Sequence, residues 1–220
     1  MASESISPST SISTSREGWS RLPAETTLLG RMGKSLYAWR VKLSIGLVMI
    51  LLGFDVLARD LRPRNVLDEG DGRAMVGLAV ILCGLAIRSW AAGTLHKMKA
   101  LTTAGPYRHM RNPLYFGSFL MMVGYSLIIW DLFSVLALLV PMIAVYSVLI
   151  SREERVLALL YPSDWPAYAA STPRFIPYRP KLPTLQGWSL AQWRKNREYQ
   201  APAGAVLFCA FLAAWHHWSW

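Results

Sequence analysis

Long apolar stretches, separated by short polar and basic segments, dominate the pattern of residues along the chain. A helix of about 17–25 apolar residues can cross a bilayer, and five stretches approach or reach that length. They are residues 41–58, 74–95, 114–130, 132–150 and 203–220. Only Asp131 separates the third stretch from the fourth, which predicts a tight helical hairpin. The pattern predicts an all-α, polytopic integral membrane protein with about five transmembrane helices.

The polar segments between these stretches divide the chain into three parts. Residues 1–40 begin with alternating serines and continue with scattered basic residues, a composition that cannot bury a core. We predict a disordered Ser-rich tail there, followed by a basic cytoplasmic leader. Residues 41–202 form the predicted membrane core. Residues 203–220 form a predicted C-terminal apolar helix, and the sequence leaves open whether it spans the bilayer.

Composition and charge narrow the class of protein. Charged residues make up 16% of the 220 residues, well below the roughly 25% of a soluble domain. Cys83 and Cys209 both lie in apolar stretches, which excludes a disulfide scaffold and a cysteine-rich zinc module. The formal net charge of +10 suits anionic lipid better than nucleic acid in such a chain. Most of the 23 Lys and Arg residues are intracellular if the N-terminus is cytoplasmic, which predicts that orientation, in the plasma membrane if the protein is bacterial.

Polar residues gather at two places that the hairpin should bring together. Asn112 and Pro113 predict the N-cap and the first residue of the third helix, and Arg111 stands beside this helix start, which favours anions. Glu153 and Glu154 follow the fourth helix on the same side. A pocket with a cationic wall and an acidic wall suits a zwitterion. The alternative is that these charges anchor helix ends at the membrane surface.

These residues also resemble a known family. GPYRHMRNPLY, then EERVL, then YPSDWPAYAASTPRFIP are similar in order and spacing to motifs of the isoprenylcysteine carboxyl methyltransferase and phospholipid methyltransferase superfamily. The resemblance covers about residues 74–178. It implies an integral membrane methyltransferase that uses S-adenosyl-L-methionine, with residues 41–202 as the methyltransferase-like core and the cofactor bound in its cytoplasmic region.

The resemblance further implies which residues bind the cofactor. The positions that match the family motifs are Gly105, Pro106, Tyr107, Arg111, Pro113, Tyr115, Gly117, Glu153 and Glu154. Asn112 is included among the cofactor-binding residues, although the family commonly has histidine there. Asparagine can donate a hydrogen bond but cannot titrate. Residues 161–164 (Tyr-Pro-Ser-Asp) replace the usual Phe-Gly of the family, which changes this turn.

Each matching residue receives a role as a hypothesis. Arg111 and the start of the third helix would hold the cofactor carboxylate. Glu153 or Glu154 would bind the ribose hydroxyls or the ammonium group. Tyr107 and Tyr115 would line the sulfonium, because aromatic faces attract cations. Arg111 and Glu154 are the candidate catalytic residues.

Arg88, inside the second apolar stretch, has two interpretations. It either extends to the cytoplasmic interface, or it pairs with Glu153, Glu154 or a substrate anion, which makes it the candidate substrate residue. No metal site is predicted, because His216 and His217 point apart on a helix and suit an aromatic belt better. Two pairs of glycines spaced seven residues apart predict helix-packing faces. They are Gly77 with Gly84 and Gly117 with Gly124.

The leading hypothesis is methyl transfer from S-adenosyl-L-methionine to a lipid-like acceptor at the cytoplasmic membrane face. The acceptor would be an isoprenylcysteine-type carboxylate or a phospholipid amine, and the sequence leaves this choice and the oligomeric state open. The expected partners are the membrane and a lipid or lipidated small molecule, without nucleic acid. One rival is an NADPH-dependent reductase of the sterol reductase type, whose motif usually has Asn where this chain has Leu114. The other rival is a non-catalytic membrane scaffold.

Overall fold

The described part of the chain is helical. The computed structural model describes residues 70–96, 100–177 and 184–218, together with positions 46, 50 and 54. Within these ranges the elements are α1 (Gly72–Thr94), a 3-10 turn (Gly105–Arg108), α2 (Pro113–Ile129), α3 (Leu132–Leu160), α4 (Trp165–Ser171), α5 (Leu190–Lys195) and α6 (Gln200–Trp218), without any β-strand. The all-α prediction is confirmed for these residues.

Four of the five predicted membrane stretches fall on described helices. Three of them match α1, α2 and α6 to within a few residues at each end. The predicted end of the fourth stretch at residue 150 is wrong, because α3 continues to Leu160. Residues 151–160 contain no glycine or proline, so nothing in them ends the helix before Pro162. The stretch 41–58, apart from its three described positions, and the leader 1–40 lie outside the described residues.

Two of the described helices are long and apolar enough to cross a membrane by length and composition. They are α1 and α3, whereas α2 is a shorter apolar helix. At about 1.5 Å per residue α3 is about 43 Å long, which exceeds the roughly 30 Å of a hydrocarbon core. Its charged residues are confined to its last three turns. The five-span topology itself stays a prediction.

The hairpin between α2 and α3 is as tight as predicted. Trp130 ends α2 in a left-handed conformation with φ 52°, and Asp131 caps the start of α3. The Asp131 carboxylate accepts hydrogen bonds from the backbone N–H and the hydroxyl of Ser134, both at 2.8 Å. This cap satisfies an amide that the first turn of α3 would leave unpaired. The turn between the two helices therefore consists of Trp130 and Asp131.

Close backbone contact holds α1 against α2 in an antiparallel pair. A Cβ added at Gly117 would lie 2.6 Å from the carbonyl oxygen of Gly84. A Cβ added at Gly124 would lie 2.6 Å from the carbonyl oxygen of Gly77. The predicted glycine packing faces are therefore confirmed, and these two faces pack against each other.

The helix α2 is central, with apolar clusters on two of its sides. Between α2 and α3 the buried residues are Tyr115, Met122, Leu138, Met142, Tyr146, Leu149 and Ile150. Between α1, α2 and α6 they are Ile81, Ile128, Ala205 and Leu212. Both faces of α2 are thus covered, which leaves its N-terminal end as the place where polar groups from several elements meet.

Candidate active site

The start of α2 is set by a backbone turn that requires glycine. Gly105 has φ +58°, and a Cβ there would lie 2.9 Å from the hydroxyl oxygen of Thr94 at the end of α1. The turn continues through Pro106 and leads to Pro113, the first residue of α2. Proline suits this position because its missing N–H would have no partner in the first turn. Gly105, Pro106 and Pro113 are buried and shape the backbone around the site.

Asn112 occupies the predicted N-cap position of α2, but its side chain does not cap the helix. The amide nitrogen donates instead to Glu154 Oε1 and to the carbonyl oxygen of Arg174, both at 3.0 Å. The expectation of a side-chain cap is therefore wrong. The expectation that Asn112 donates a hydrogen bond within the site is confirmed, with a carboxylate and a carbonyl as acceptors.

Glu154 is the centre of a cluster that joins α2, α3 and the segment after α4. Its Oε1 accepts from Asn112 and lies 3.5 Å from Arg111 Nε. Its Oε2 lies 3.2 Å from Arg174 Nε. The Glu154 side chain is 15% exposed, so the cluster is partly open to solvent. We call the four residues Arg111, Asn112, Glu154 and Arg174 the Glu154 cluster.

The neighbouring carboxylate, Glu153, makes a second link between α3 and α2. The Tyr115 hydroxyl donates to Glu153 Oε1 at 2.8 Å. The Tyr115 ring is 3% exposed and packs edge to face on Tyr146, with ring centroids 5.1 Å apart. The hairpin therefore brings Arg111, Asn112 and Tyr115 opposite the two glutamates, as the sequence predicts.

A cavity of about 390 Å³, open to solvent, adjoins the cluster. Its lining residues are Arg111, Ser151, Glu154, Arg155, Ala158, Trp165 and Arg174. Three guanidinium groups face one carboxylate there, so the wall carries excess positive charge. The Arg111 guanidinium carbon lies 5.8 Å from the centre of the Trp165 ring, within the range of a cation–π contact. Such a wall suits a ligand with an anionic group and a flat ring.

Five of the seven lining residues are not among the site residues predicted from the sequence; they are Ser151, Arg155, Ala158, Trp165 and Arg174. Arg174 donates to the Ser151 hydroxyl at 2.7 Å in addition to its contact with Glu154. The preceding residue, Pro173, accepts a hydrogen bond from the Arg111 backbone N–H at 2.9 Å through its carbonyl. Arg174 could have been found from the sequence. It is the arginine of RFIP, which ends the stretch YPSDWPAYAASTPRFIP that resembles the family. Ser151 and Trp165 carry no comparable signal.

Tyr168 on α4 ties this wall to the turn before α2. Its hydroxyl donates to the carbonyl oxygen of Tyr107 at 2.9 Å. Burial raises the pKa of the Tyr168 hydroxyl well above its usual value, Arg111 lowers that pKa and Glu154 raises it. Tyr168 therefore stays protonated as a donor across the neutral range.

Of the predicted cofactor-binding residues, Arg111 and Glu154 line the cavity. Two of the others lie on the side of α1. The Tyr107 side chain belongs to a buried cluster with Ala91, Ala92 and Leu114 on the α1 side. Gly117 faces Gly84 of α1. Both residues are part of the support behind the cavity rather than of its lining.

Arg88 has a different partner from those considered in the sequence. It forms an ion pair with Glu198, with Arg88 Nε 2.8 Å from Oε1 and a second nitrogen 3.1 Å from Oε2. The pairing with Glu153 or Glu154 is therefore wrong, because the residues before α6 place a closer carboxylate beside α1. Glu198 is 4% exposed and was missed, since nothing in its local sequence distinguishes it from a surface charge.

Comparison with protein families supports the motif-based resemblance. Residues 73–164 match the family model described as phospholipid methyltransferase. This part of the chain is similar to phospholipid methyltransferases. The match confirms the superfamily resemblance, and it contains Arg111, Asn112, Tyr115 and both glutamates of the site. Arg174 and Glu198 lie beyond the matched residues.

Two curated proteins that resemble this chain carry names related to metal resistance. The chain is 28% identical over 141 residues to the nickel-cobalt-cadmium resistance protein NccN of Alcaligenes xylosoxydans xylosoxydans. It is 29% identical over 141 residues to the cobalt-zinc-cadmium resistance protein CzcN of Cupriavidus metallidurans. Each alignment covers 63% of this chain and 62% of the relative. The chain thus spans less than two thirds of these relatives, and no solved structure matches it.

Among the described residues, no group of three or more His, Cys, Asp or Glu side chains is arranged to hold a metal ion. His216 and His217 are neighbours in the last turn of α6, with ring centroids 5.7 Å apart.

Proposed function

We propose that the protein transfers a methyl group from S-adenosyl-L-methionine to a lipid-like acceptor at the cytoplasmic face of a membrane. The observation that carries this proposal is the Glu154 cluster beside an open cavity. Three of its four residues, Arg111, Asn112 and Glu154, lie within the residues that match the phospholipid methyltransferase family. The apolar helices α1 and α3 support a membrane setting. The proposed orientation has the N-terminus in the cytoplasm, because that arrangement keeps most basic residues on the cytoplasmic side.

The chemistry of the cavity fits the proposed cofactor. A volume of about 390 Å³ falls within the roughly 300–1,000 Å³ of small-molecule sites. Arg111 and Arg174 offer guanidinium groups to the cofactor carboxylate, and Glu154 offers a carboxylate to its ammonium or ribose hydroxyls. The Trp165 ring is an apolar surface at the same wall. When bound, S-adenosyl-L-methionine supplies an activated methyl group on a positively charged sulfur.

The proposed contribution of the chain is alignment of the two reactants. Arg111 and Glu154 are held from several directions, so they can orient a bound molecule without first reorganising. A carboxylate acceptor needs no base, whereas an amine acceptor must lose a proton. For an amine we assign that proton to a glutamate at the site, with Glu153 as the more exposed of the two.

The lipid-like acceptor is inferred from the exposed apolar surfaces. Several large residues of α3 point away from the helical core; they are Leu132, Phe133, Leu136, Val140, Ile143 and Val148. This surface suits acyl or prenyl chains of a bilayer. The acceptor group is then an isoprenylcysteine-type carboxylate or a phospholipid amine, and the two differ in their need for a base.

The test is calorimetric titration of the purified protein with S-adenosylhomocysteine and, separately, with NADPH. We expect binding of S-adenosylhomocysteine that weakens about tenfold or more in Arg111→Ala and Glu154→Gln, because each removes a charged hydrogen-bond partner. Arg108→Ala is the matched control, since Arg108 is exposed in the same region and does not line the cavity. Unchanged affinity in both site variants would refute this site, and binding of NADPH alone would favour a reductase.

The acceptor is identified with a labelled methyl donor. Vesicles containing phosphatidylethanolamine and, separately, a farnesylated cysteine derivative would be incubated with the protein and the donor. Label in the phospholipid with a rate that rises with pH indicates an amine acceptor, because deprotonation is then required. Label in the farnesylated compound without this pH dependence indicates a carboxylate acceptor. Label in neither, from a protein that binds the cofactor, would count against both acceptors.

Metal resistance is a second property to test, because two curated relatives are named for it. We infer that methyl transfer and metal tolerance are linked in this protein. A bacterial host sensitive to cobalt and cadmium would express the wild-type chain, Glu154→Gln or the control Arg108→Ala. Tolerance from the wild type and the control, and its loss in Glu154→Gln, would support the link. Equal tolerance in all three would contradict it.

A further inference from the structure

A largely buried ion pair, Arg88 with Glu198, lies outside the lining of the cavity. Arg88 on α1 makes two contacts with the Glu198 carboxylate, at 2.8 and 3.1 Å. The side chains of Arg88 and Glu198 are 15% and 4% exposed. Burial removes most of the water around both charges. The ion pair and its hydrogen bonds must offset the free energy of this lost hydration. Glu198 lies well beyond the residues that match the family.

The residues before α6 are attached to the last turns of α1 by a series of hydrogen bonds. Trp188 donates through its ring nitrogen to the carbonyl oxygen of Ser89 at 3.1 Å. Asn196 donates to the carbonyl oxygens of Ala92 at 2.7 Å and Leu95 at 3.0 Å. The carbonyls of Ala92 and Leu95 are at the C-terminal end of α1, where a helix leaves acceptors unpaired. The segment therefore caps α1.

This cap places Glu198 beside Arg88. Residues 196–199 form a turn between α5 and α6, in which Arg197 adopts a left-handed conformation with φ 56°. The Glu198 backbone N–H donates to the carbonyl oxygen of Trp193 at 3.2 Å. A non-glycine residue in this conformation costs free energy, which the surrounding contacts must offset. The position of Glu198 is thus determined by several contacts.

Arg88 also reaches the first turns of α2. One of its terminal nitrogens donates to the hydroxyl oxygen of Ser118 and lies 3.5 Å from the carbonyl oxygen of Leu114. The Ser118 hydroxyl in turn donates to the same Leu114 carbonyl at 3.0 Å. The same part of the chain carries Asn112 and Tyr115, which contact Glu154 and Glu153. The two sets of contacts therefore hold the same short stretch of α2.

We propose that Arg88 and Glu198 are positioning residues for the active site. Glu198 holds Arg88, and Arg88 holds the first turns of α2 where Asn112 and Arg111 meet Glu154. Residues 184–218 then help to position the active site, although they lie outside the residues that match the family. This inference rests on the proposed methyltransferase function. It predicts that a substitution of Arg88 alters cofactor binding, although Arg88 does not line the cavity.

The first test is hydrogen exchange of the α2 amides in Arg88→Lys. Lysine keeps the charge opposite Glu198, but its single ammonium cannot hold both that carboxylate and α2 as the guanidinium does. We expect the amides of Phe116, Gly117 and Ser118 to exchange about tenfold faster, as for loss of one charged hydrogen bond. Amides of residues 122–129 should be unchanged, and Arg194→Gln on exposed α5 is the control. Unchanged exchange at 116–118 would overturn the proposal.

The second test is the affinity for S-adenosylhomocysteine in the same variant and in Arg88→Gln combined with Glu198→Gln. The double variant removes both charges together, so no buried charge is left unpaired. It therefore provides the test if Arg88→Lys fails to fold. We expect a Kd about tenfold higher in both variants, with a melting temperature close to that of the wild type in Arg88→Lys. Faster exchange with an unchanged Kd would reduce the pair to a purely structural role and refute positioning.

The two proposals can fail separately. If the wild-type protein binds no S-adenosylhomocysteine, the proposed function fails, while the exchange at residues 116–118 still decides whether Arg88 holds α2. If the wild type binds the ligand and Arg88→Lys changes neither exchange nor Kd, the function stands and the positioning inference fails.

Discussion

Two carboxylates lie near the start of α2, and they are held in different ways. Glu198 makes a two-pronged ion pair with one arginine at 2.8 and 3.1 Å and is 4% exposed. Glu154 is shared among Asn112, Arg111 and Arg174 at 3.0 to 3.5 Å and is 15% exposed. One carboxylate has a single close partner in a closed setting, and the other has several looser partners beside a cavity.

The difference indicates which of the two can exchange partners. A buried, fully paired carboxylate is costly to separate from its partner, so it fixes a structure. A carboxylate shared among several donors at the edge of a cavity can give up one of them to a ligand at a smaller cost. Ligand binding is therefore expected at Glu154, and rigidity is expected from Glu198.

The largest expected effect comes from breaking the closed pair on one side only. Arg88→Ala leaves Glu198 buried without its arginine, which should lower the free energy of unfolding by about 3–5 kcal/mol. Arg111→Ala removes a looser, partly solvated contact and should cost about 1 kcal/mol or less. Chemical denaturation in detergent measures both. We call the Arg88–Glu198 pair the closed side and the Glu154 cluster the open side. Equal losses of unfolding free energy in the two variants would contradict this distinction.

A smaller effect is expected from adding one methyl group behind the cavity. Gly117→Ala would place a Cβ 2.6 Å from the Gly84 carbonyl oxygen, and overpacking of this kind costs about 1–3 kcal/mol. Gly204→Ala on α6 is the matched control, because nothing lies within 4 Å of its added Cβ. The control should be neutral or stabilising, since alanine favours a helix over glycine. A stable Gly117→Ala protein would mean that α1 and α2 can move apart.

The smallest effect concerns Tyr168, on the open side. Tyr168→Phe removes the hydrogen bond to the Tyr107 carbonyl and should cost about 1 kcal/mol near pH 8. Burial raises the pKa of Tyr168 above its ordinary value of 10.0, so the unfolded tyrosine ionises first as the pH rises. The stability advantage of the wild type over Tyr168→Phe should therefore be full below pH 10 and shrink above it. Denaturation curves at pH 8 and above pH 10 measure this, and an advantage that grows with pH would contradict it.

The sequence predicted the open side better than the closed side, for a physical reason. Arg111, Asn112, Glu153 and Glu154 lie near the ends of one helical hairpin, so counting residues from the turn at Asp131 is enough to bring them together. The side-chain cap at Asn112 failed because capping propensity is local, and here a carboxylate from α3 competes for the same amide.

The Arg88 contact could not be predicted in the same way. Glu198 is separated from Arg88 by 110 residues, and it reaches α1 through backbone turns and carbonyl contacts that have no periodic pattern. Arg174 is intermediate between the residues that the hairpin predicts and the unpredicted contact of Arg88 with Glu198. Its motif was visible, but its contact with Glu154 depends on how the chain returns after α4.

The two-residue turn between α2 and α3 has a further consequence for the proposed lipid acceptor. From that turn the cavity lies about 25 Å along α2 and the acidic pair about 34 Å along α3, at about 1.5 Å per residue. These lengths bracket the roughly 30 Å thickness of a hydrocarbon core. Under the proposed function, the tip of the hairpin would lie in one headgroup layer and the reactive groups in the other. A lipid acceptor would then react at its headgroup while its chains remain among the other lipids.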